Sequence, residues 1–534
     1  MDLKLLDAEP SDAEREAIDA VVGVEPSNGN RVSRRDRTRR HLLLPALRAA
    51  QRRVGWVTPG ALGYTSGRLD VPPADAYGVA TFYALLALEE RPPDVLHVCT
   101  DLSCRLAGAE VPEGAFPSPC LGLCERAPAS LRTLAGPEPR EEQFPAEEPP
   151  LPQAGAGNLK LLRRIVEGID PTSPAAYGAF RALEHARELG PERVIELVKA
   201  SPLLGRGGAA FPTGVKWEAV AQQPAKPHYL VCNADESEPG TFKDRILMER
   251  DPFALVESIG IAAFATGCER AYIYVRAEYP LAHERLQHAI DESDVGVEIE
   301  LRIGAGAYVC GEETALFQSI EGYRGEPRNK PPFPVEIGLY GKPTVVNNVE
   351  TLLNVPEIVL GGDPRDTRLF CVSGHVERPG LYELELGTPL SDLLELSGAE
   401  PPKAVLLGGA AGSFLRPDQL DLPLSFEGAR EAGATLGSGV VIVFGERADL
   451  VGAVLRIAEF FRDESCGQCV PCRIGTVRQE EALHRLASGR ANGDEVAALA
   501  DLTQVMRDAS ICGLGQTAAN AVESAMMNLG VLVP

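Results

Sequence analysis

Cys466, Cys469 and Cys472 recur at every third position in ESCGQCVPC, and Cys512 is the one cysteine after them. Three close thiols and a remote one make a four-sulfur set. Zinc and a [4Fe–4S] cube both accept four thiolates. The spacing favours the cube, because structural zinc usually takes two separated pairs, whereas cysteines at i, i+3 and i+6 suit three corners that a distant fourth completes. Gly467 and Gly513 allow the backbone to approach, so that peptide N–H groups can bond cluster sulfurs. A second set is paired: Cys99 and Cys104 in CTDLSC, Cys120 and Cys124 in CLGLC. Pairs suit a [2Fe–2S] rhomb, where each iron takes two thiolates, and they suit zinc as well. Spacing leaves those two open. Cys232, Cys268, Cys310 and Cys371 are isolated and are expected to be small buried hydrophobes.

Between the two cysteine sets lie glycine-rich loops. LLGRGGAAFPTGVKW holds Gly205, Gly207, Gly208 and Gly214, with Arg206, Phe211 and Lys216 beside them. Such a loop brings backbone N–H groups close to a phosphate. It is neither the G-x-G-x-x-G dinucleotide fingerprint nor a P-loop, and the alternative is a tight connection. CNADESEPGTFKDR follows the strand-like HYLV and bunches Asn233, Asp235, Glu236 and Glu238 at a strand's carboxyl end, where α/β folds bind ligands. That bunch suits ribityl or ribose hydroxyls, or else a capped turn. GAGAYVCGEETAL adds Tyr308, Gly311, Glu312 and Glu313. Lys330, Phe333 and the amide pair Asn347–Asn348 follow. An aromatic beside a base suits a stacked nucleotide, or core packing. Phosphate-friendly loops together with two cysteine quartets point to a flavin or nicotinamide nucleotide exchanging electrons with clusters.

The elements that must position these residues are legible in outline. A chain of 534 residues exceeds one core, so several domains are expected. The net charge of −24 argues against general phosphate-backbone binding by the protein. Arg31 to Arg53 carries nine arginines and reads as a solvated helix face, with a docking patch for an acidic partner as the alternative. The acidic N-terminus has no signal-peptide core, and no apolar run is long enough to span a membrane. Twelve cysteines without an export signal are expected to be reduced or metal-bound, which places the chain in the cytoplasm or on the cytoplasmic face of an assembly. Helical periodicity fills about 10–90. Residues 134–158, rich in Pro, Glu and Ala, read as a linker. Strands and helices alternate to about 355, short β-runs fill about 367–445, and helical pattern resumes from 447.

The motifs GRGGAAFPTGVKW, NADESEPGTFKDR, GAGAYVCGEETAL, KPPFP, GKPTVVNNVET and ESCGQCVPC with ICGLGQTA occur in order. In them the chain resembles the flavin subunit of respiratory complex I, a unit shared with NAD-reducing hydrogenases and NAD-dependent formate dehydrogenases. Residues 30–130 resemble that family's thioredoxin-like [2Fe–2S] subunit, here fused and shortened, with 15 residues between Cys104 and Cys120. The resemblance implies a multidomain α/β protein. Its parts are a helical and thioredoxin-like domain (1–133), the linker (134–158), an FMN/NAD(H)-binding α/β domain (159–362), a ubiquitin-like domain (363–446) and a helical [4Fe–4S] domain (447–534). It further implies FMN, NAD(H), a [4Fe–4S] cluster on Cys466, Cys469, Cys472 and Cys512, and a [2Fe–2S] cluster on Cys99, Cys104, Cys120 and Cys124. The loop Gly205–Gly214 with Phe211 would take part in nucleotide binding. Asn233, Asp235, Glu236 and Glu238 would contact flavin and nicotinamide. Glu312 and Glu313 would lie beside both. Lys330 and Phe333 would meet the adenine side, and Asn347 and Asn348 the ribityl or phosphate. No residue need act as a general base, so Glu236, Glu238 and Glu313 are cofactor-positioning groups. The implied activity is a diaphorase exchanging hydride between NAD(H) and FMN and single electrons with a larger iron–sulfur or catalytic partner subunit, in a hetero-oligomer without a membrane span of its own. The contrasting reading is a zinc-bound, non-catalytic scaffold that keeps the fold.

Overall fold

A computed structural model describes residues 8–23, 36–153, 159–490 and 493–533. Four helices lead the chain: Asp12–Val22, Leu43–Val54, Pro59–Leu69 and Pro73–Ala80. Two of the starts show a local cause. Ser11 and Glu14 form a reciprocal capping box, and Thr58 accepts from the Ala61 N–H ahead of a helix with Pro59 in its first turn. The first sheet follows, with β1 (Asp94–Cys99), β2 (Phe116–Ser118), β3 (Ser130–Leu134) and β4 (Arg140–Phe144) in the order β2-β1-β3-β4. Only β1 and β2 run parallel, joined through the short helix Leu102–Leu106 that carries Cys104.

The second sheet is wholly parallel. β5 (His228–Ala234), β6 (Cys268–Val275), β7 (Glu298–Ile303) and β8 (Thr344–Asn348) lie in the order β7-β6-β5-β8. Parallel strands need cover on both faces, and their alternation shows where it comes from. Leu230, Cys232, Ala271 and Ile273 pack into a core with the long helix Pro252–Thr266, whose residues are buried nearly all round. Val231, Tyr272 and Tyr274 point the other way, into a core shared with the N-terminal helices. The N-terminal unit therefore supplies a layer of the central domain instead of hanging beside it.

The third sheet holds β9 (Thr367–Gly374), β10 (Gly380–Glu385), β11 (Pro402–Leu407), β12 (Ser413–Leu415) and β13 (Val440–Gly445), ordered β10-β9-β13-β11-β12. Helices Leu450–Asp463, Val470–Ala487, Gly493–Ala509 and Asn520–Leu529 complete the chain. Among the described residues, no helix is long and apolar enough to cross a membrane.

Two expectations are corrected. The segment 134–158 is no free linker where it is described. Arg140–Phe144 pairs with β3 as an edge strand, and Gln153 exchanges hydrogen bonds with the Glu383 backbone of β10 at 3.2 and 2.6 Å. Its polar, proline-rich composition reflects an edge strand and docked coil, both of which lack a buried periodic face. The arginine run is only in part a solvated face, since the Arg52 side chain stays 45% exposed while others are held by partners. Arg40 bonds Asp75 and the Gly322 carbonyl, and Arg52 and Arg53 pair with Glu141 and Glu16. Residues 31–35 of that run lie outside the described residues. Cys232, Cys268, Cys310 and Cys371 are buried, as expected of small hydrophobes.

Candidate functional site

β5 and β8 end side by side, and a cleft of about 490 Å³ opens at their carboxyl edge. Three parts of the chain line it. The central domain gives Gly207, Gly208, Asn233, Asp235, Glu236, Glu238, Lys243, Tyr308, Gly311, Glu312 and Asn348. The third sheet gives the turns at Gly408, Ala411, Gly437 and Ser438. The C-terminal domain gives Gly513, Leu514, Thr517 and Asn520.

The acidic bunch after β5 does several jobs. The Asn233 side chain donates to the Gly311 carbonyl at 2.8 Å, tying two cleft loops together. Glu236 accepts from the backbone N–H of Asp244 and Arg245 at 2.7 and 2.8 Å, at the start of helix Lys243–Arg250. Its own φ of +31° is a left-handed conformation that a side chain adopts at a cost of about 1–2 kcal/mol. Glu238 reaches across to the third sheet, accepting from the Ala411 N–H at 3.1 Å and the Ser438 hydroxyl at 2.6 Å. A Cβ on Gly409 would sit 2.6 Å from that carboxylate, so glycine is required for the clasp. Lys243 is the one cation lining the cleft among the described residues. It is buried, paired with Asp244 at 2.7 Å and Glu350 at 3.1 Å, and donates to Asn348 at 3.3 Å.

At the rim, Lys330 bonds both Glu312 and Glu313 at 2.8 Å, and Lys216 lies 3.6 Å from Glu313 and 5.9 Å from the Phe211 ring centroid. Burial pushes the Glu313 carboxyl up, but Lys216 and Lys330 outweigh it and hold the group below its usual range. Phe211 and Phe333 are about half exposed, at 50% and 53%. Phe211, exposed and near Lys216, is chemically suited to stacking a base.

Nine predicted residues do not line the cleft: Phe211, Lys216, Glu313, Lys330 and Phe333 lie outside its wall, and four more are held by other partners. Arg206 is fully buried, bonding Asp366 and the Thr367 carbonyl, so its charge joins two domains instead of facing a phosphate. Gly205 closes the loop on itself through the Phe211 carbonyl, and Gly214 makes room for Lys199 of the neighbouring helix. Asn347 accepts from the Trp217 indole at 2.8 Å. Strand alternation explains the last case: adjacent residues of β8 face opposite ways, so only Asn348 reaches the cleft. Sequence reasoning missed Lys243 and the glycine turns of the third sheet. The Gly408–Gly409 and Gly437–Ser438–Gly439 turns carry no ligand signal of their own, and a single lysine inside NADESEPGTFKDR has nothing in its type to set it apart from a solvated one.

The thiols gather as their spacing requires. The Cys120 and Cys124 sulfurs are 3.5 Å apart, and Cys120 is drawn well below its usual range because the Cys124 and Cys99 thiols donate to it. Cys99 in turn interacts with Cys104. In the C-terminal set, burial pushes Cys472 up to about 12, with Cys469, Cys512 and Cys466 adding to it, and pushes Cys512 up to about 11. Buried thiols of this kind become ligands only when metal charge stabilises their thiolates. Among the described residues no group of three or more His, Cys, Asp or Glu is arranged to hold a single metal ion. In each place four thiols lie within interaction range of one another, and a four-thiolate donor set fits an iron–sulfur cluster. The cleft fits a phosphate-bearing cofactor equally: its glycines leave the backbone open, and hydroxyl, amide and carboxylate groups converge there with one lysine.

Burial also pushes the Asp235 carboxyl from 3.8 to about 7, with Ser237 and Arg276 opposing. A carboxyl that titrates higher in the fold favours the fold at low pH, and that share is lost as pH rises from about 4 to about 7. For the apoprotein, the fall in Tm between about pH 5 and pH 8 is expected to be smaller in Asp235→Asn than in the parent chain. Scanning calorimetry across that range checks this, and equal falls would contradict it.

Two four-thiol sets and a polar cleft at the edge of a parallel sheet define a cofactor-bearing redox subunit. Four family profiles match the chain in order: Thioredoxin-like [2Fe-2S] ferredoxin at 30–113, Nuo51 FMN-binding domain at 198–357, SLBB domain at 369–410, and NADH-ubiquinone oxidoreductase-F iron-sulfur binding region at 452–530. An NADH-quinone oxidoreductase F subunit of Rhizobium meliloti (strain 1021) is 43% identical over 380 residues, covering 66% of this chain and 90% of that protein. The NADP-reducing hydrogenase subunit HndC of Solidesulfovibrio fructosivorans is 40% identical over 69% of this chain and 81% of its own length. A chain in the crystal structure of an air-oxidised NAD+-reducing [NiFe]-hydrogenase superposes with TM-score 0.77 at 33% identity, over 93% of both chains. The chain belongs to the family of NADH-quinone oxidoreductase F subunits and their hydrogenase counterparts. It is an oxidoreductase subunit with FMN, [4Fe–4S] and [2Fe–2S] cofactors.

Proposed function

We propose that the chain is a diaphorase module that exchanges hydride with NAD(H) at the cleft and single electrons with a partner subunit through its clusters. The observation that carries this reading is the lining of the cleft. Gly513 and Leu514, directly after Cys512, share it with the central-domain loops. A cofactor in the cleft is therefore next to a ligand of the C-terminal cluster. FMN bound there supplies two-electron exchange with a nicotinamide and one-electron exchange with a cluster. The protein's part is placement. Glu236 and Glu238 fix the loops around the cofactor, Asn348 and Lys243 serve its ribityl and phosphate end, and Glu312, Glu313, Lys330, Phe211 and Phe333 form the nicotinamide nucleotide's rim. Cys466, Cys469, Cys472 and Cys512 hold the [4Fe–4S] cluster, and Cys99, Cys104, Cys120 and Cys124 the [2Fe–2S] cluster.

Base stacking on an aromatic is worth about 1–3 kcal/mol, so Phe211→Ala is expected to raise the KM for NADH by roughly tenfold with kcat little changed. Steady-state assays with a one-electron dye test this, and an unchanged KM removes Phe211 from the rim.

The parent assembly is a soluble-type hydrogenase or formate dehydrogenase in which this module is fused to its [2Fe–2S] domain. Support comes from coverage: the hydrogenase chain matches 93% of this one, fusion included, whereas the Rhizobium protein matches 66%. Purification of the native complex tests it. A co-purifying subunit with nickel–iron or molybdenum fits the reading, and a quinone-reducing membrane assembly overturns it.

A further inference from the structure

The loop Cys120–Cys124 is held by the central domain through its backbone carbonyls. Arg245 donates from Nε to the Gly122 carbonyl at 3.0 Å, and Arg276 donates from Nη2 to the Cys120 carbonyl at 2.5 Å. Gly122, at φ +65°, lies so close to Tyr279 that an added Cβ would fall 2.1 Å from its hydroxyl. The two arginines differ in their counter-charges. Arg245 is matched by two carboxylates, Glu125 at 2.5 Å and Glu249 at 2.7 Å. Arg276 has one carboxylate in direct contact, Glu278 at 2.7 Å, with Asp235 and Glu464 interacting from further off, and its buried Nε has no hydrogen-bond partner. Arg276 also follows directly on β6 at the sheet's carboxyl edge, where Nη1 donates to the Glu236 carbonyl at 2.9 Å. One guanidinium therefore touches a cysteine of the N-terminal set and a residue of the flavin cleft, and its side chain is only 3% exposed.

We propose that Arg276 is a positioning residue that sets the reduction potential of the N-terminal [2Fe–2S] centre and fixes its ligand loop against the flavin cleft. The proposal rests on reading Cys99, Cys104, Cys120 and Cys124 as that centre's ligands. Reduction adds one negative charge to the centre. A fixed positive charge in a dry site stabilises the reduced form, and hydrogen bonds around the ligands act in the same direction. Glu278 partly cancels that charge. Removing Arg276 and removing Glu278 must then move the potential in opposite directions, which a purely structural pair would not do.

The test is an EPR-monitored redox titration of the holoprotein as Arg276→Gln, Arg276→Lys and Glu278→Gln. Arg276→Gln is expected to lower the [2Fe–2S] midpoint by at least a tenfold change in the one-electron equilibrium, about 59 mV. Glu278→Gln is expected to raise it, Arg276→Lys to stay near the parent value, and the [4Fe–4S] midpoint to stay put in all three. Should Arg276→Gln not fold, the rise in Glu278→Gln decides the matter. Intact [2Fe–2S] signals whose midpoints do not move, or move together, overturn the proposal. A parent protein with only about four irons and no [2Fe–2S] signal overturns the ligand reading itself, and the proposal with it.

Discussion

Cys472→Ala combined with Cys512→Ser is expected to strip the C-terminal cluster and leave the N-terminal one, taking iron from about six to about two per chain. Single replacements leave three thiolates, and three corners can retain a damaged cluster, so two ligands are removed together. Both residues are buried, and Gly513 and Leu514 carry the second of them to the wall of the cleft. FMN content should stay close to that of the parent protein, because the central-domain groups of the cleft are untouched. Reduction of the partner, or of an acceptor that takes electrons from that cluster, should be abolished. Iron and flavin analysis read the result. Unchanged iron would show that these thiols hold nothing.

Lys243→Met is expected to cost about 3–5 kcal/mol of stability, because it leaves Asp244 and Glu350 as buried carboxylates without their cation. Burial pushes the lysine down, but Asp244, Glu350 and Glu236 outweigh it and hold the ammonium above its usual range. The same change should empty the cleft of FMN, since Lys243 is its lining cation and also holds Asn348. Adding Glu350→Gln separates the two effects: Tm should recover in part, and FMN should not. Thermal unfolding and the flavin content of the purified variants check both. A single variant that melts like the parent and keeps its flavin contradicts the role given to this lysine.

The legible part of the site was local. Both cysteine quartets, the acidic bunch after HYLV and the Glu312–Glu313 pair announce themselves because their chemistry lies within a few residues of sequence. The glycine loop was legible as a loop, but only Gly207 and Gly208 of its named residues line the cleft, while Gly205, Arg206 and Gly214 hold the loop and its neighbours. Arg206 and Asn347 misled for one reason: a polar type near a ligand motif has the same composition whether it faces the cleft or a buried partner. What stayed hidden was long-range. The clasp of Glu238 on Ala411 and Ser438 joins residues 173 and 200 positions apart, and no periodicity marks such a contact. The same holds for the N-terminal helices, whose amphipathic pattern is plain but whose partner, the outer face of the parallel sheet, is set only by folding.

The cleft and the C-terminal cysteines are read as one redox unit. Anaerobic titration of the purified holoprotein with NADH, followed by visible and low-temperature EPR spectra, tests this most directly. The expected result is bleaching of a flavin band near roughly 450 nm together with the signal of a reduced [4Fe–4S] cluster, which the Cys472→Ala/Cys512→Ser variant lacks while its flavin still bleaches. A colourless protein with stoichiometric zinc and no response to NADH would contradict it.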